Sequence, residues 1–175
     1  VEYGIPLIHK MGYKEEFIKF MVESGVLTFG DFVTKSGRNT PYFINTGNYK
    51  TGAQAHRLGQ FYASCIKEHM DAGEIDPETK VLFGPAYKGI PLAVATSISL
   101  AAEHGMDVSY CFNRKEKKDH GEGGNMVGYK LQDGDKVLIT EDVITAGTAV
   151  RETLPLLFGA ADVKVEGLIV SVDRM

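Results

Sequence analysis

Apolar and polar positions along the chain change period several times, and each change marks an element. Over residues 13–24, Tyr13, Phe17, Phe20 and Met21 recur at helical spacing on one face, and Gly25 supplies a stop. Over 26–48 the period shortens. Phe29, Phe32, Val33, Tyr42, Phe43 and Ile44 fall in short strand-like runs around the turn-forming Ser36, Gly37, Arg38 and Asn39, which predicts a small antiparallel unit. A second helix is predicted over 54–70, where Leu58, Phe61, Tyr62, Cys65, Ile66 and His69 form one stripe. Strands and helices then alternate: strand 80–84, helix 91–103, strand 107–113, polar loop 114–125, strand 136–141, helix 148–158 and strand 163–172. Strands of the type Val137-Leu138-Ile139 lack polar alternation, as a parallel sheet covered by helices on both sides requires. The expected fold is α/β, a doubly wound, mainly parallel central sheet flanked by helices. No repeat, linker or low-complexity tract divides the chain, so 1–175 reads as one domain. Within it, 1–50 is a small N-terminal hood of helix and antiparallel strands, and 51–175 is the core.

Composition fits this picture. A chain of 175 residues, 43% apolar and 24% charged, is long enough and ordinary enough to bury a globular core. The formal charge of -4 gives no global positive field to attract nucleic acid or a membrane surface. Positive charge is local instead: Arg114, Lys115, Lys117 and Lys118 fall within five positions, which suits a small anionic ligand. Cys65 and Cys111 have no metal-ligand spacing and read as buried thiols of a reducing compartment. No apolar run spans a bilayer and no charged-then-apolar leader opens the chain, so a cytoplasmic protein is expected.

The segment from Val137 to Thr148 carries the most chemistry. A buried strand ends in two adjacent carboxylates, Glu141 and Asp142, and a short turn of small residues and hydroxyls then opens a helix. Small residues let backbone N–H groups converge on an anion, and a helix N-terminus adds partial positive charge. Thr145 and Thr148 add hydroxyl donors. Carboxylates at the carboxyl end of a central strand sit where open α/β sheets bind ligands, and they accept hydrogen bonds from sugar hydroxyls. The alternative, an N-capped helix after an acidic turn, is a common arrangement, whereas two carboxylates beside a phosphate-type turn are not, and this favours the functional reading.

This segment resembles the phosphoribosyl pyrophosphate signature of the type I phosphoribosyltransferases. The resemblance implies that Glu141 and Asp142 hold the ribose hydroxyls. It also implies that Val143, Ile144, Thr145, Ala146, Gly147, Thr148 and Ala149 form the 5-phosphate loop. Three further segments are similar to those of one branch of that family, the orotate phosphoribosyltransferases. The stretch 113–124 is basic, then glycine-rich and free of apolar residues, a composition that makes a mobile loop rather than a core. It resembles that branch's catalytic loop, which implies that Arg114, Lys115, Lys118 and His120 engage pyrophosphate in the neighbouring subunit's site. The hairpin 29–45 resembles the branch's orotate-side element. Lys35 is then implied to reach the substrates, with the backbone at Phe43 and Ile44 receiving orotate. Residues 83–91 resemble the pyrophosphate loop, with Tyr87 and Lys88 as donor contacts and a non-proline cis peptide at Ala86-Tyr87. Arg174, whose planar fork suits a planar acid, is implied to contact orotate together with Thr145.

The resemblance implies that the chain transfers ribose 5-phosphate from phosphoribosyl pyrophosphate to orotate, giving orotidine 5'-monophosphate for pyrimidine synthesis. Lys118, His120, Lys88 and Asp142 carry the catalysis in this reading. Mg2+ is held mainly by the donor and by waters rather than by protein ligands. The working form implied is a homodimer with shared active sites. A purine phosphoribosyltransferase would share the donor motif but not Lys35, the basic loop or Arg174. A regulator that binds nucleic acid would need a basic face, and none is visible. Members of the family continue past the arginine matching Arg174, so the end at Met175 is expected to be a truncation.

Overall fold

A computed structural model of the chain describes residues 12–34, 37–116 and 125–174. The chain forms two compact units, Val1–Lys50 and Thr51–Met175. In the first, helix α1 (Tyr13–Glu23) buries Met21 and ends where Val26 N–H returns to the Met21 carbonyl at 2.9 Å and Gly25 N–H to Val22 at 3.0 Å. Strand β1 (Leu27–Val33) then pairs antiparallel with β2 (Asn39–Ile44), Leu27 opposite Ile44, with a bulge between Phe29 and Phe32. Asn48 Nδ2 donates to the Gly25 carbonyl at 2.7 Å and ties the end of the hairpin to the end of α1.

In the second unit, helix α2 (Gly52–Asp71) opens with a capping box in which Thr51 and Gln54 satisfy each other's backbone amides. There follow β3 (Val81–Gly84), α3 (Gly89–His104), β4 (Ser109–Asn113), β5 (Met126–Gly128), β6 (Lys136–Ile144), α4 (Thr148–Ala160) and β7 (Lys164–Asp173). The sheet order is β5-β4-β3-β6-β7; all neighbours are parallel except β5, an antiparallel edge strand. The chain runs from β3 outward to β4, then recrosses to β6 and continues to β7. Right-handed crossovers in opposite directions place α3 and α4 on opposite faces of the sheet. Burial agrees: Val81, Phe83, Val137 and Ile139 pack with Leu157 of α4, while the alternate positions Leu82 and Leu138 are equally buried on the other face. The expected mainly parallel sheet flanked by helices is the fold observed.

Most element bounds differ from the expected ones by one to three residues, and one short strand was not expected. Strand β6 runs three residues past Glu141, because β7 continues beside it with Val143 opposite Val172 and Ile144 opposite Asp173. A backbone ladder tolerates the polar pair that ended the apolar run. Helix α3 begins at Gly89 rather than at 91, so Pro91 lies in the first turn, where its missing N–H has no partner to lose. Strand β5, three residues long, is too short to show a period. Neither cysteine is in a disulfide; Cys111 is buried and its thiol pushed up to about 12 by burial, whereas Cys65, expected to be buried, is only half-buried. Among the described residues no helix is long and apolar enough to cross a membrane.

Candidate active site

The reversal of strand order lies between β3 and β6, and their carboxyl ends part there. The last residues paired between them are Phe83 and Ile139. One step on, Thr140 Oγ1 donates to the Phe83 carbonyl at 3.4 Å, and beyond it β6 carries Glu141 and Asp142 alongside β7 alone. On the β3 side the chain folds back at once into α3. A Cβ on Gly84 would stand 2.2 Å from the Gly89 carbonyl oxygen, so only glycine allows this turn to close on its own strand. The Ala86-Tyr87 peptide in the turn is cis, as expected. Ala86 N–H donates to Asn113 Oδ1 at 2.8 Å, which ties the turn to the end of β4. Lys88 Nζ lies 3.3 Å from Asp142 Oδ2, so the turn after β3 faces the acidic end of β6.

The two acids have different environments. Glu141 is 9% exposed, and its carboxylate accepts the Asp142 N–H at 2.9 Å. Asp142 is less enclosed, accepts the Val143 N–H at 2.8 Å and keeps its other oxygen for Lys88. Burial pushes the Glu141 carboxyl up to about 7; the Asp142 amide and Lys88 pull it down, while the Asp142 carboxylate pushes it further up. The two groups thus differ: the burial that raises the Glu141 carboxyl favours its protonated form, which can donate to a hydroxyl, while Asp142 sits beside the Lys88 cation. Behind them the Tyr62 hydroxyl lies 2.7 Å from the Glu141 carbonyl, to which it donates, and 2.8 Å from Ser171 Oγ, so α2 fixes β6 and β7 where they carry the site.

The raised Glu141 pKa has a thermodynamic consequence. Between about 4.5 and 7 the folded chain keeps a proton that the unfolded chain has lost. Stability therefore falls as pH rises through that window, by up to about 1.4 kcal/mol per pH unit. Below the window both states are neutral and nothing is lost. Glu141→Gln cannot ionise, so its melting temperature relative to the parent chain is expected to be higher at pH 8 than at pH 5. Thermal melts at the two pH values check this, and an equal difference at both would rule out the buried proton.

Past Asp142 the segment expected to bind phosphate has three parts: Val143 and Ile144 in β6, the turn 145–147, and Thr148 and Ala149 at the start of α4. Gly147, at φ +68° and ψ 15°, takes the left-handed conformation that caps the helix, and no side chain caps it. The opening of α4 therefore faces a cleft of about 270 Å³ lined by Glu141 and residues 143–150. Thr145, Ala146, Thr148 and Ala149 are exposed there. Arg174 N–H donates to the Ile144 carbonyl at 2.9 Å and its Nη2 to Thr145 Oγ1 at 3.1 Å, bringing together two residues expected to share a ligand.

The start of the basic stretch meets the turn after β3. Arg114 N–H donates to the Asn125 carbonyl at 2.7 Å, closing the two ends of that stretch. Lys115 Nζ sits 5.4 Å from the centre of the Tyr87 ring, and the Tyr87 hydroxyl donates to Glu116 Oε1 at 3.0 Å. Phe43 and Ile44 lie on β2 of the first unit. Lys35, Lys118 and His120 lie outside the described residues. The sequence reading assigned no role to Tyr62, Asn113, Glu116 or Arg151. Tyr62 reads as one more aromatic on an apolar helical stripe, and Arg151 as an ordinary solvated helix cation. Only Asn113, a polar residue at the end of a strand, left a usable signal.

Comparison with known proteins agrees with this geometry. The phosphoribosyl transferase domain model matches residues 45–175. An orotate phosphoribosyltransferase of Clostridium beijerinckii is 66% identical over 163 residues, covering 93% of this chain and 70% of the relative. One from Bifidobacterium adolescentis is 57% identical over 159 residues, covering 91% and 69%. The crystal structure of the Francisella tularensis orotate phosphoribosyltransferase superposes with a TM-score of 0.75 at 41% identity, over 89% of this chain and 69% of that one. A cleft at the strand reversal, a carboxylate pair and an open helix start thus occur in a sequence closely similar to these enzymes, and the chain belongs to the phosphoribosyl transferase family, within it to the orotate phosphoribosyltransferases.

Proposed function

We infer that the chain transfers the ribose 5-phosphate unit of phosphoribosyl pyrophosphate to orotate, yielding orotidine 5'-monophosphate and pyrophosphate in pyrimidine biosynthesis. The observation that carries this reading is the open turn 145–147, set at the strand reversal beside Asp142 and its Lys88 partner. A ring nitrogen of orotate that has already lost its proton to solvent attacks C1 of the ribose, the bond from C1 to the pyrophosphate oxygen breaks, and the configuration at C1 inverts. Positive charge grows on the ring in an oxocarbenium-like transition state, as in other glycosyl transfers.

The chain's own groups divide the substrates among them. Asp142 and Glu141 take the ribose hydroxyls, and the amides and hydroxyls of 143–149 take the 5-phosphate. Tyr87, Lys88, Arg114, Lys115, Lys118 and His120 hold the pyrophosphate, where negative charge increases on departure. His120 or Lys118 delivers a proton to it. Lys35 reaches the substrates, and Phe43, Ile44, Thr145 and Arg174 hold orotate. The Asp142 carboxylate would accept hydrogen bonds from the water ligands of a donor-bound Mg2+, which when present would supply positive charge against the leaving pyrophosphate. The cytoplasm is the proposed location, in keeping with two cysteines, Cys65 and Cys111, that form no disulfide.

A spectrophotometric assay of orotate consumption with phosphoribosyl pyrophosphate and Mg2+ tests the reaction. Steady loss of orotate absorbance that depends on both additions is expected; none would overturn the reading. The working form proposed is a two-fold dimer in which the basic stretch of one chain serves the site of the other. Mixing Lys118→Ala and Asp142→Asn chains is then expected to restore up to about a quarter of parent activity, since half the dimers are mixed and each has one intact site. A mixture no more active than its components would argue against shared sites.

A further inference from the structure

The phosphate turn is held from behind by a residue with no assigned role. Arg151, in the first turn of α4, donates from Nη2 to the Ala146 carbonyl at 2.6 Å, and its Nη1 lies 4.0 Å from where a Gly147 Cβ would stand. The residues lining the cleft are Glu141 and 143–150, and Arg151 is not among them, so its side chain grips the turn from outside the cleft lining. In a planar trans peptide the carbonyl and the next N–H point in opposite directions. With the Ala146 carbonyl turned out toward Arg151, the Gly147 N–H is directed toward the cleft.

This orientation needs a clasp. Gly147 adopts φ of either sign at little cost, so sterics do not decide which way the Ala146-Gly147 peptide faces. Reversed, that peptide would present a carbonyl to the cleft and repel a phosphate. A cation in the first turn of a helix also opposes the helix dipole. No acid in the first turn of α4 offsets it. A residue placed against the dipole, on a helix without a side-chain cap, makes sense where an anion occupies the helix start.

We propose that Arg151 is a positioning residue for the 5-phosphate site: by holding the Ala146 carbonyl outward it keeps the following amide aimed at the donor's phosphate. The inference rests on the proposed function and adds a residue to it. The test titrates the parent chain, Arg151→Met and Arg151→Gln with ribose 5-phosphate and, separately, with pyrophosphate and Mg2+, by calorimetry, alongside steady-state kinetics. Arg151→Met is expected to bind ribose 5-phosphate roughly 10-fold more weakly, the size of one lost charged hydrogen bond. Pyrophosphate binding stays unchanged, and KM for phosphoribosyl pyrophosphate rises while kcat stays within about twofold, since uniform binding alone is lost. Arg151→Gln, with a shorter and uncharged arm, gives the same pattern and decides the matter if Arg151→Met does not fold. A parent chain that binds no ribose 5-phosphate overturns the functional reading and this inference with it. A parent chain that binds it, with variants that bind equally well or lose both ligands alike, overturns the inference alone.

Discussion

Replacing Asp142 with asparagine is expected to lower kcat/KM for the transfer on the order of 100-fold or more, the usual cost of removing one preorganised charged group from a transition state. The substitution is nearly isosteric. An asparagine Oδ1 still accepts the Val143 N–H now bonded at 2.8 Å, so the turn into the phosphate segment keeps its anchor. What changes is the other oxygen. An amide in its place cannot accept from Lys88 Nζ, now 3.3 Å away, and carries no negative charge to offset the positive charge growing on the ribose ring. The loss also falls on the acid that faces Lys88, beside a neighbour, Glu141, whose carboxyl burial raises to about 7. Stability should barely move. The Lys88 side chain is 64% exposed, and pairs of that kind contribute about 1 kcal/mol or less. Steady-state kinetics and a thermal melt on the same preparation check both halves. A kcat/KM within threefold of the parent would take Asp142 out of the mechanism, and a large drop in melting temperature would make its role structural.

The acid pair was readable in the sequence because two charges interrupt an apolar run at the end of a buried strand, a place where open sheets bind ligands. The turn was readable because 145–148 combines small residues with hydroxyls before a helical pattern. The length of β6 was not readable: its last three residues belong to the sheet through backbone bonds to β7, and such bonds leave no mark on side-chain pattern. The Tyr62 contact escaped for a related reason. Its ring obeys the helical period like any core aromatic, and only the fold brings its hydroxyl to the Glu141 carbonyl, 79 positions away. Asn113, a polar residue at a strand end, signals a role but finds its partner, the Ala86 N–H, only once the chain has folded; Arg151 reaches just five positions back to the Ala146 carbonyl, a contact that an exposed helix arginine does not announce. What local pattern reveals is the chemistry that neighbours in sequence perform together. Support from a distant element has to be seen in place.

The glycine that lets the site close also belongs to the fold, and Gly84→Ala is expected to damage both. An added Cβ would meet the Gly89 carbonyl oxygen at 2.2 Å, its carbon at 2.6 Å and the Ala93 Cβ at 3.0 Å. These are mostly backbone atoms of a helix start, which cannot rotate away as a long side chain can, so α3 itself must move off β3. Overpacking of that kind costs about 3 kcal/mol or more where the neighbours cannot yield. The same shift carries Lys88 away from Asp142, so phosphoribosyl pyrophosphate binding should fall in whatever fraction still folds. Gly159→Ala provides the contrast. Gly159 lies in α4 with nothing within 4 Å of its added carbon, and a helical glycine-to-alanine change there should be neutral or stabilising by up to about 1 kcal/mol. Urea denaturation of the two variants separates the effects, because both add the same methyl group and differ only in what it meets. Equal midpoints would mean that the turn after β3 is softer than its geometry requires, and that Lys88 reaches Asp142 by some route other than the tight closure of β3 onto α3.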